Sequence, residues 1–173
     1  MHYRNRIVFA VSAAMAFVML AVAIYFLFFD SGVPESVWGA VLALALPCGV
    51  IWVIIRVGLS PFVEWGDGKI VVCNPFVLYS TSLGKVRLLG REGKGGAFEV
   101  EGIGTVVPWA MTRSIFDGKR ANEARRELRR AVLQAKGEAV CESDTQGTRK
   151  IRYGWSDILV IPFLAACVWA FLP

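Results

Sequence analysis

Residues 62–74 read Phe-Val-Glu-Trp-Gly-Asp-Gly-Lys-Ile-Val-Val-Cys-Asn. Two β-type runs, Phe62-Val63-Glu64-Trp65 and Lys69-Ile70-Val71-Val72-Cys73-Asn74, flank Gly66-Asp67-Gly68. An Asp-Gly pair between such runs is a strong hairpin signal, because tight turns between twisted strands need residues that accept positive φ. Downstream of Pro75 the same texture continues through 76–83, 85–89, 97–101 and 105–109, with glycines at 84, 90, 93, 95, 96, 102 and 104 marking the turns. About six short, evenly spaced strands predict an antiparallel barrel or sandwich.

A single helix is expected next, over 119–136, with Asp117 as N-cap and Gly137 as C-cap. Ala124, Leu128, Ala131, Val132 and Ala135 form one apolar stripe at helical spacing. The remaining surface is cationic: Lys119, Arg120, Arg125, Arg126, Arg129, Arg130 and Lys136 against Glu123 and Glu127. Two readings stay open, a solvated face or a binding surface for anionic lipid or an acidic partner subunit. Lys119, Arg120, Arg125, Arg126, Arg129 and Arg130 are the candidate residues of such a surface.

Outside this region lie three uncharged apolar blocks, 7–29, 37–55 and 158–173. A bilayer core of about 30 Å takes roughly 20 helical residues, so the first two read as spanning helices and the third as a short one, with 153–157 at the interface. A cleaved signal peptide is a poorer reading of the first block. Arg4 and Arg6 resemble an n-region and Ala21-Val22-Ala23 a cleavage site, but the apolar run continues through Phe29. Small residues at Ala10 and Ala14, Ser12 and Ala16, and Gly39 and Ala43 suggest that the first two helices pack as a hairpin. The organisation expected is a transmembrane hairpin at 1–58, a cytoplasmic β-domain with its closing helix at 59–137, a polar linker at 138–152 and a C-terminal transmembrane helix at 153–173.

Charge sets the sidedness. The tail before the first block carries Arg4 and Arg6 and no acid, and the link after it carries Asp30 and Glu35 and no base. Residues 56–152 hold the other 17 Lys and Arg against 11 acids. The positive-inside rule places the N-terminus and the β-domain in the cytoplasm and the C-terminus outside, in a multi-pass plasma (inner) membrane protein. Trp38 and Trp169 fall near the outer interface, Tyr153 and Trp155 near the inner one. Each cation close to an anionic leaflet contributes about 1 kcal/mol, which accounts for the basic balance without nucleic acid.

Several chemistries have no residues to carry them. The only histidine is His2, Cys48, Cys73, Cys141 and Cys167 show no CxxC spacing, and no metal set follows. Without a histidine in the domain, no Ser-His or Cys-His pair is expected. Residues 90–96 lack the Ser or Thr that a P-loop needs after its lysine, since Gly95 follows Lys94. Glu99 and Glu101 share a strand face, where paired carboxylates can do acid–base work, but an exposed strand edge is the ordinary explanation. No charge lies inside any apolar block, which argues against an ion path. No enzyme activity, cofactor or small-molecule substrate is expected.

Two N-terminal helices, several antiparallel strands, the Val107-Pro108-Trp109 motif and a closing helix together resemble the bacterial PH-like membrane proteins, in particular the actinobacterial type related to low-molecular-weight antigens. The likeness covers roughly 62–134, with 62–74 and its Gly-Asp-Gly turn at the start. It implies a small split β-barrel capped by the helix and carries no catalytic residues. The third apolar block is not a regular part of that pattern, and the first hairpin offers only Lys69 where a phosphoinositide headgroup would need a run of cations. The function expected is an accessory or assembly subunit of a larger inner-membrane complex, respiratory or of the cell envelope, partnered by other membrane subunits. The alternative is an anionic-lipid-binding membrane module.

Overall fold

The computed structural model describes residues 1–28, 37–89, 97–111, 118–138 and 147–171. They belong to two compact units, Met1–Ile7 with Ser60–Arg152, and Val8–Leu59 with Tyr153–Pro173.

In chain order the strands described are β1 (His2–Tyr3), β2 (Phe62–Gly66), β3 (Lys69–Cys73), β4 (Val77–Ser82), β5 (Val86–Leu88), β6 (Phe98–Val100), β7 (Gly104–Val106) and β8 (Thr148–Ile151). They form two antiparallel sheets, one ordered β1-β2-β3-β4-β8 and one ordered β5-β6-β7. The β2–β3 turn is the tight one that the sequence signals. Asp67 has φ 48° and Gly68 φ 71°, the two positive values a type I′ turn requires. Strand alternation then sets the core. Val63 and Trp65 are buried while Glu64 and Gly66 face out, because successive side chains of a strand point to opposite faces. Ile70 and Val72 continue this layer, and Val86, Phe98, Val100 and Val106 supply the second sheet's share.

The first helix, α1 (Arg6–Phe28), and the second, α2 (Val37–Ile54), precede β2; α3 (Gly118–Glu138) follows β7. The predicted stripe of α3 is its packed face. Ala121, Ala124, Leu128 and Val132 are buried in the core, with Ala131 and Ala135 partly so, and α3 packs on β5 and the 3-10 turn Leu83–Lys85. The helix runs one residue past Gly137, which is therefore not its C-cap. Asp117, the expected N-cap, lies outside the described residues.

Two strands were not expected. In β1, His2 pairs with Glu64 and Tyr3 with Val63. The Trp65 N–H donates to the Met1 carbonyl at 2.8 Å, and the Met1 amine donates back to the Trp65 carbonyl. Two residues are too few to show a period of two. In β8, Thr148–Ile151 pairs with β4 although it lies in the stretch read as linker. All four of its residues are exposed, so no buried alternation marks it in the sequence.

The helical unit contains most of α1, α2 with the π-helical turn Ile55–Leu59, the 3-10 turn Trp155–Leu159 and α4 (Val160–Phe171). α2 packs on α4. Gly49 makes room there, since a Cβ on it would lie 2.9 Å from the Phe163 ring. Of the two small-residue rows on α1, Ser12 and Ala16 lie on a half-buried stripe with Val8, Met19 and Ala23, while Ala10 and Ala14 are exposed. Gly58 of the π turn meets Ser12 so closely that a Cβ would fall 1.8 Å from the serine Oγ. Gly39 and Ala43 lie among residues whose side chains are not described. Residues Arg6–Tyr25, with mean hydropathy 2.7, form a helix long and apolar enough to cross a membrane; Ala45–Leu59 and Trp155–Ala166 are shorter apolar helices. The chain thus combines a candidate membrane helix with a mostly antiparallel β unit.

Candidate functional site

The six cations proposed on α3 do not form one patch. At 100° per residue, Lys119, Arg126 and Arg130 share the crest opposite the buried stripe, with Glu123 among them. Arg125 and Arg129 lie on one flank and Arg120 on the other. Five of the six are exposed. Arg125 is half-buried; its Nη2 donates to the Met111 carbonyl and its Nη1 to Asn122 Oδ1 at 3.2 Å. Met111 is itself in the core. Arg125 therefore fastens the first half of α3 to the 3-10 turn Trp109–Met111, and the crest trio is the part of the set that is free of such a role.

Glu99 and Glu101 line an open cleft of about 630 Å³ together with Lys85, Arg87 and Lys136. Arg87 stands directly opposite Glu99 in the β5–β6 register and approaches it to 3.9 Å. Both side chains are well exposed, at 78% and 49%. Glu101 sits in the turn beyond β6, its N–H donating to the Lys85 carbonyl at 3.2 Å. Two solvated carboxylates beside three cations form a mixed-charge surface.

His2 corrects the expectation that the domain has no histidine. β1 brings it onto the five-stranded sheet beside Phe62, with ring centroids 5.0 Å apart. It is exposed.

A second charged group was not foreseen. In the helical unit Asp157 accepts from Arg56 at both carboxylate oxygens, through Nε at 2.9 Å and through Nη2. The Trp52 indole N–H donates to Oδ1 at 2.9 Å, and the Gly154 N–H to Oδ2 at 2.9 Å. The Arg56 side chain is 3% exposed and that of Asp157 28%. A bidentate guanidinium–carboxylate pair with its remaining acceptor capacity filled is the geometry in which a buried ion pair is tolerated. The partners are 101 residues apart. The signal available in the sequence was their position: opposite charges at the margins of the second and third apolar blocks.

Comparison of the chain with known protein families, with curated proteins and with solved structures finds no match. Among the described residues no group of three or more His, Cys, Asp or Glu is placed to hold a metal ion.

Proposed function

We propose that the protein is a non-enzymatic, multi-pass inner-membrane protein that serves as an accessory or assembly subunit of a larger complex, respiratory or of the cell envelope. The state of α1 carries this reading. No residue of the Arg6–Tyr25 segment is buried. The Ala10–Ala14 row is open, with Phe17 72% and Val18 57% exposed. Open small-residue rows let a neighbouring helix approach closely in lipid. α4 is similarly open, with Ile161, Leu164 and Val168 all more than half exposed, as is Ile158 in the 3-10 turn before it.

The other apolar segments fit further spans. α2 with its π turn covers residues 37–59. α4 rises about 18 Å, and the preceding 3-10 turn, which carries Asp157, adds up to about 10 Å, so the third segment approaches the roughly 30 Å of a bilayer core only with that turn included. Charge excess over 56–152 and the pairing of β1 with β2 support a cytoplasmic N-terminus on the same side as the β unit. Separate three-strand runs (β2-β3-β4 and β5-β6-β7) closed by α3 support the PH-like reading of that unit.

Affinity purification of the full chain in mild detergent from the cells that make it, followed by mass spectrometry, tests the proposal. Membrane proteins at fixed ratio are expected, and a lone monomer would refute it. The alternative reading, an anionic-lipid module, is favoured by the crest trio on α3. Native mass spectrometry of the full chain in micelles doped with phosphatidylglycerol checks it: Arg126→Glu with Arg130→Glu should strip the retained anionic lipid, and unchanged retention removes the idea.

A further inference from the structure

One end of the β unit concentrates its apolar exposure. Phe76 is 51% exposed, Val107 48%, Trp109 48% and Ile151 70%. Backbone pairing gathers them. Asn74 donates from Nδ2 to the Val107 carbonyl at 3.0 Å and accepts the Trp109 N–H on Oδ1 at 2.9 Å. Phe76 lies two residues on, its carbonyl accepting the Arg152 N–H at 2.9 Å. Ile151 pairs with Val77. Asn74 thus holds the Val-Pro-Trp segment of one sheet against the β3–β4 turn of the other, and β8 ends beside it.

The same end holds both connections of this unit to the apolar segments. Phe62, the first residue of β2, pairs with Cys73, so Ser60 and Pro61 lie at the Asn74–Phe76 end. Arg152, the last residue of the unit, reaches across with Nη1 to the Ser60 carbonyl at 3.3 Å and to Cys73 Sγ at 2.8 Å. The Arg152 side chain therefore bridges the point where the chain leaves to the point where it arrives. Leu59 closes one apolar segment immediately before this point, and Tyr153 and Trp155, 81% and 75% exposed, open the other immediately after it.

From this placement we propose that Phe76, Val107, Trp109 and Ile151 form a lipid-seating surface that inserts into the headgroup and upper acyl layer of the membrane. The occupant is the bilayer interface. Aromatic side chains prefer that depth, the chain passes to and from both apolar segments at this same end of the β unit, and Lys150, exposed on β8, supplies a cation for anionic headgroups. It assigns membrane contact to a surface other than the cationic crest of α3. It rests on the reading that the apolar segments are embedded.

The test uses the full chain reconstituted in phosphatidylglycerol–phosphatidylethanolamine vesicles. A benzophenone photocrosslinking amino acid is installed at Phe76, at Trp109 or, for comparison, at Leu133, which is 62% exposed on α3. Lipid adducts several-fold more abundant at Phe76 and Trp109 than at Leu133 are the expected result. Equal labelling at all three sites, or none at Phe76 and Trp109, overturns the proposal, as do adducts to polypeptide alone in native membranes. Alkaline carbonate extraction of the same variants separates the two readings. Retention without lipid adducts refutes only the seating surface, whereas release from the membrane refutes the embedding as well.

Discussion

The substitution Asp157→Asn keeps the shape of the carboxylate and removes its charge, while Arg56, 3% exposed, remains cationic. Removing one partner of a buried pair costs about 3–5 kcal/mol, because the desolvated charge left behind has lost its compensation. Two features place this case at the lower end. Asp157 is 28% exposed, so water can approach the site, and the asparagine Oδ1 can still accept from the Trp52 indole and from Arg56 Nε. A loss of about 3 kcal/mol is the expected value, a drop of roughly a hundredfold in the folded-to-unfolded ratio of the helical unit. The assay is SDS titration of the full chain in dodecylmaltoside micelles, read by far-ultraviolet dichroism. The companion variant Arg56→Met with Asp157→Leu replaces the pair by apolar groups of similar size, an exchange that is often neutral or stabilising. It should recover most of what Asp157→Asn loses. An Asp157→Asn protein within about 0.5 kcal/mol of the parent, the range of an ordinary surface change, would refute the assignment of a buried, mutually dependent pair. So would a double variant as unstable as the two single losses added together.

Other expectations follow from packing. Gly58→Val should destabilise the helical unit by about 1–3 kcal/mol through overpacking, since even a Cβ would fall 1.8 Å from Ser12 Oγ; Ser12→Gly should restore part of the loss in the same titration. Leu128→Ala empties a site that is 2% exposed in the core and should cost about 3 kcal/mol, read as faster amide exchange along α3, whereas Leu133→Ala on the exposed side should leave that exchange unchanged. Arg125→Ala should release the Met111 carbonyl and speed exchange at the start of α3 by an amount that corresponds to about 1–2 kcal/mol, while Arg126→Ala should not.

The β unit was legible where side chains alternate and turns carry Gly or Asp. β2 and β3 followed from Phe62–Asn74 because an Asp-Gly turn and a buried alternation report the same hairpin independently. The stripe of α3 was legible for the same reason, since Ala124, Leu128 and Val132 recur at helical spacing and are the residues that pack. β1 and β8 were not. One is two residues long, so the burial of Tyr3 shows no period, and the other is exposed throughout; neither carries a readable alternation. The cations of α3 are visible in the sequence, but their distribution around the helix and their contacts are not. Helical angle alone separates Arg120 from Arg129, and only the tertiary contact to Met111 distinguishes Arg125 from its neighbours. Arg56 with Asp157 illustrates a different limit. Each was visible as a charge at a block margin, but pairing across 101 residues is a property of the fold and has no local trace.

The π turn at Ile55–Leu59 explains why the end of α2 can serve two neighbours at once. Arg56 and Gly58 are two residues apart, and two residues along a helical turn lie on nearly opposite sides. One side therefore presents the guanidinium to Asp157, at the start of the third apolar segment, and the other presents a bare backbone to Ser12 of α1. An intervening small residue suits the second role and a long cation the first; neither could be exchanged without losing a contact. The two contacts share no partner residue and point to different helices, so if the turn stays in place when one is lost, their energies add to within about 0.5 kcal/mol. Combining Asp157→Asn with Gly58→Val and comparing the SDS midpoint with those of the single variants measures this directly. A coupling well above that bound would mean that the turn shifts as a unit when either contact is lost, and that α1 and α4 communicate through it.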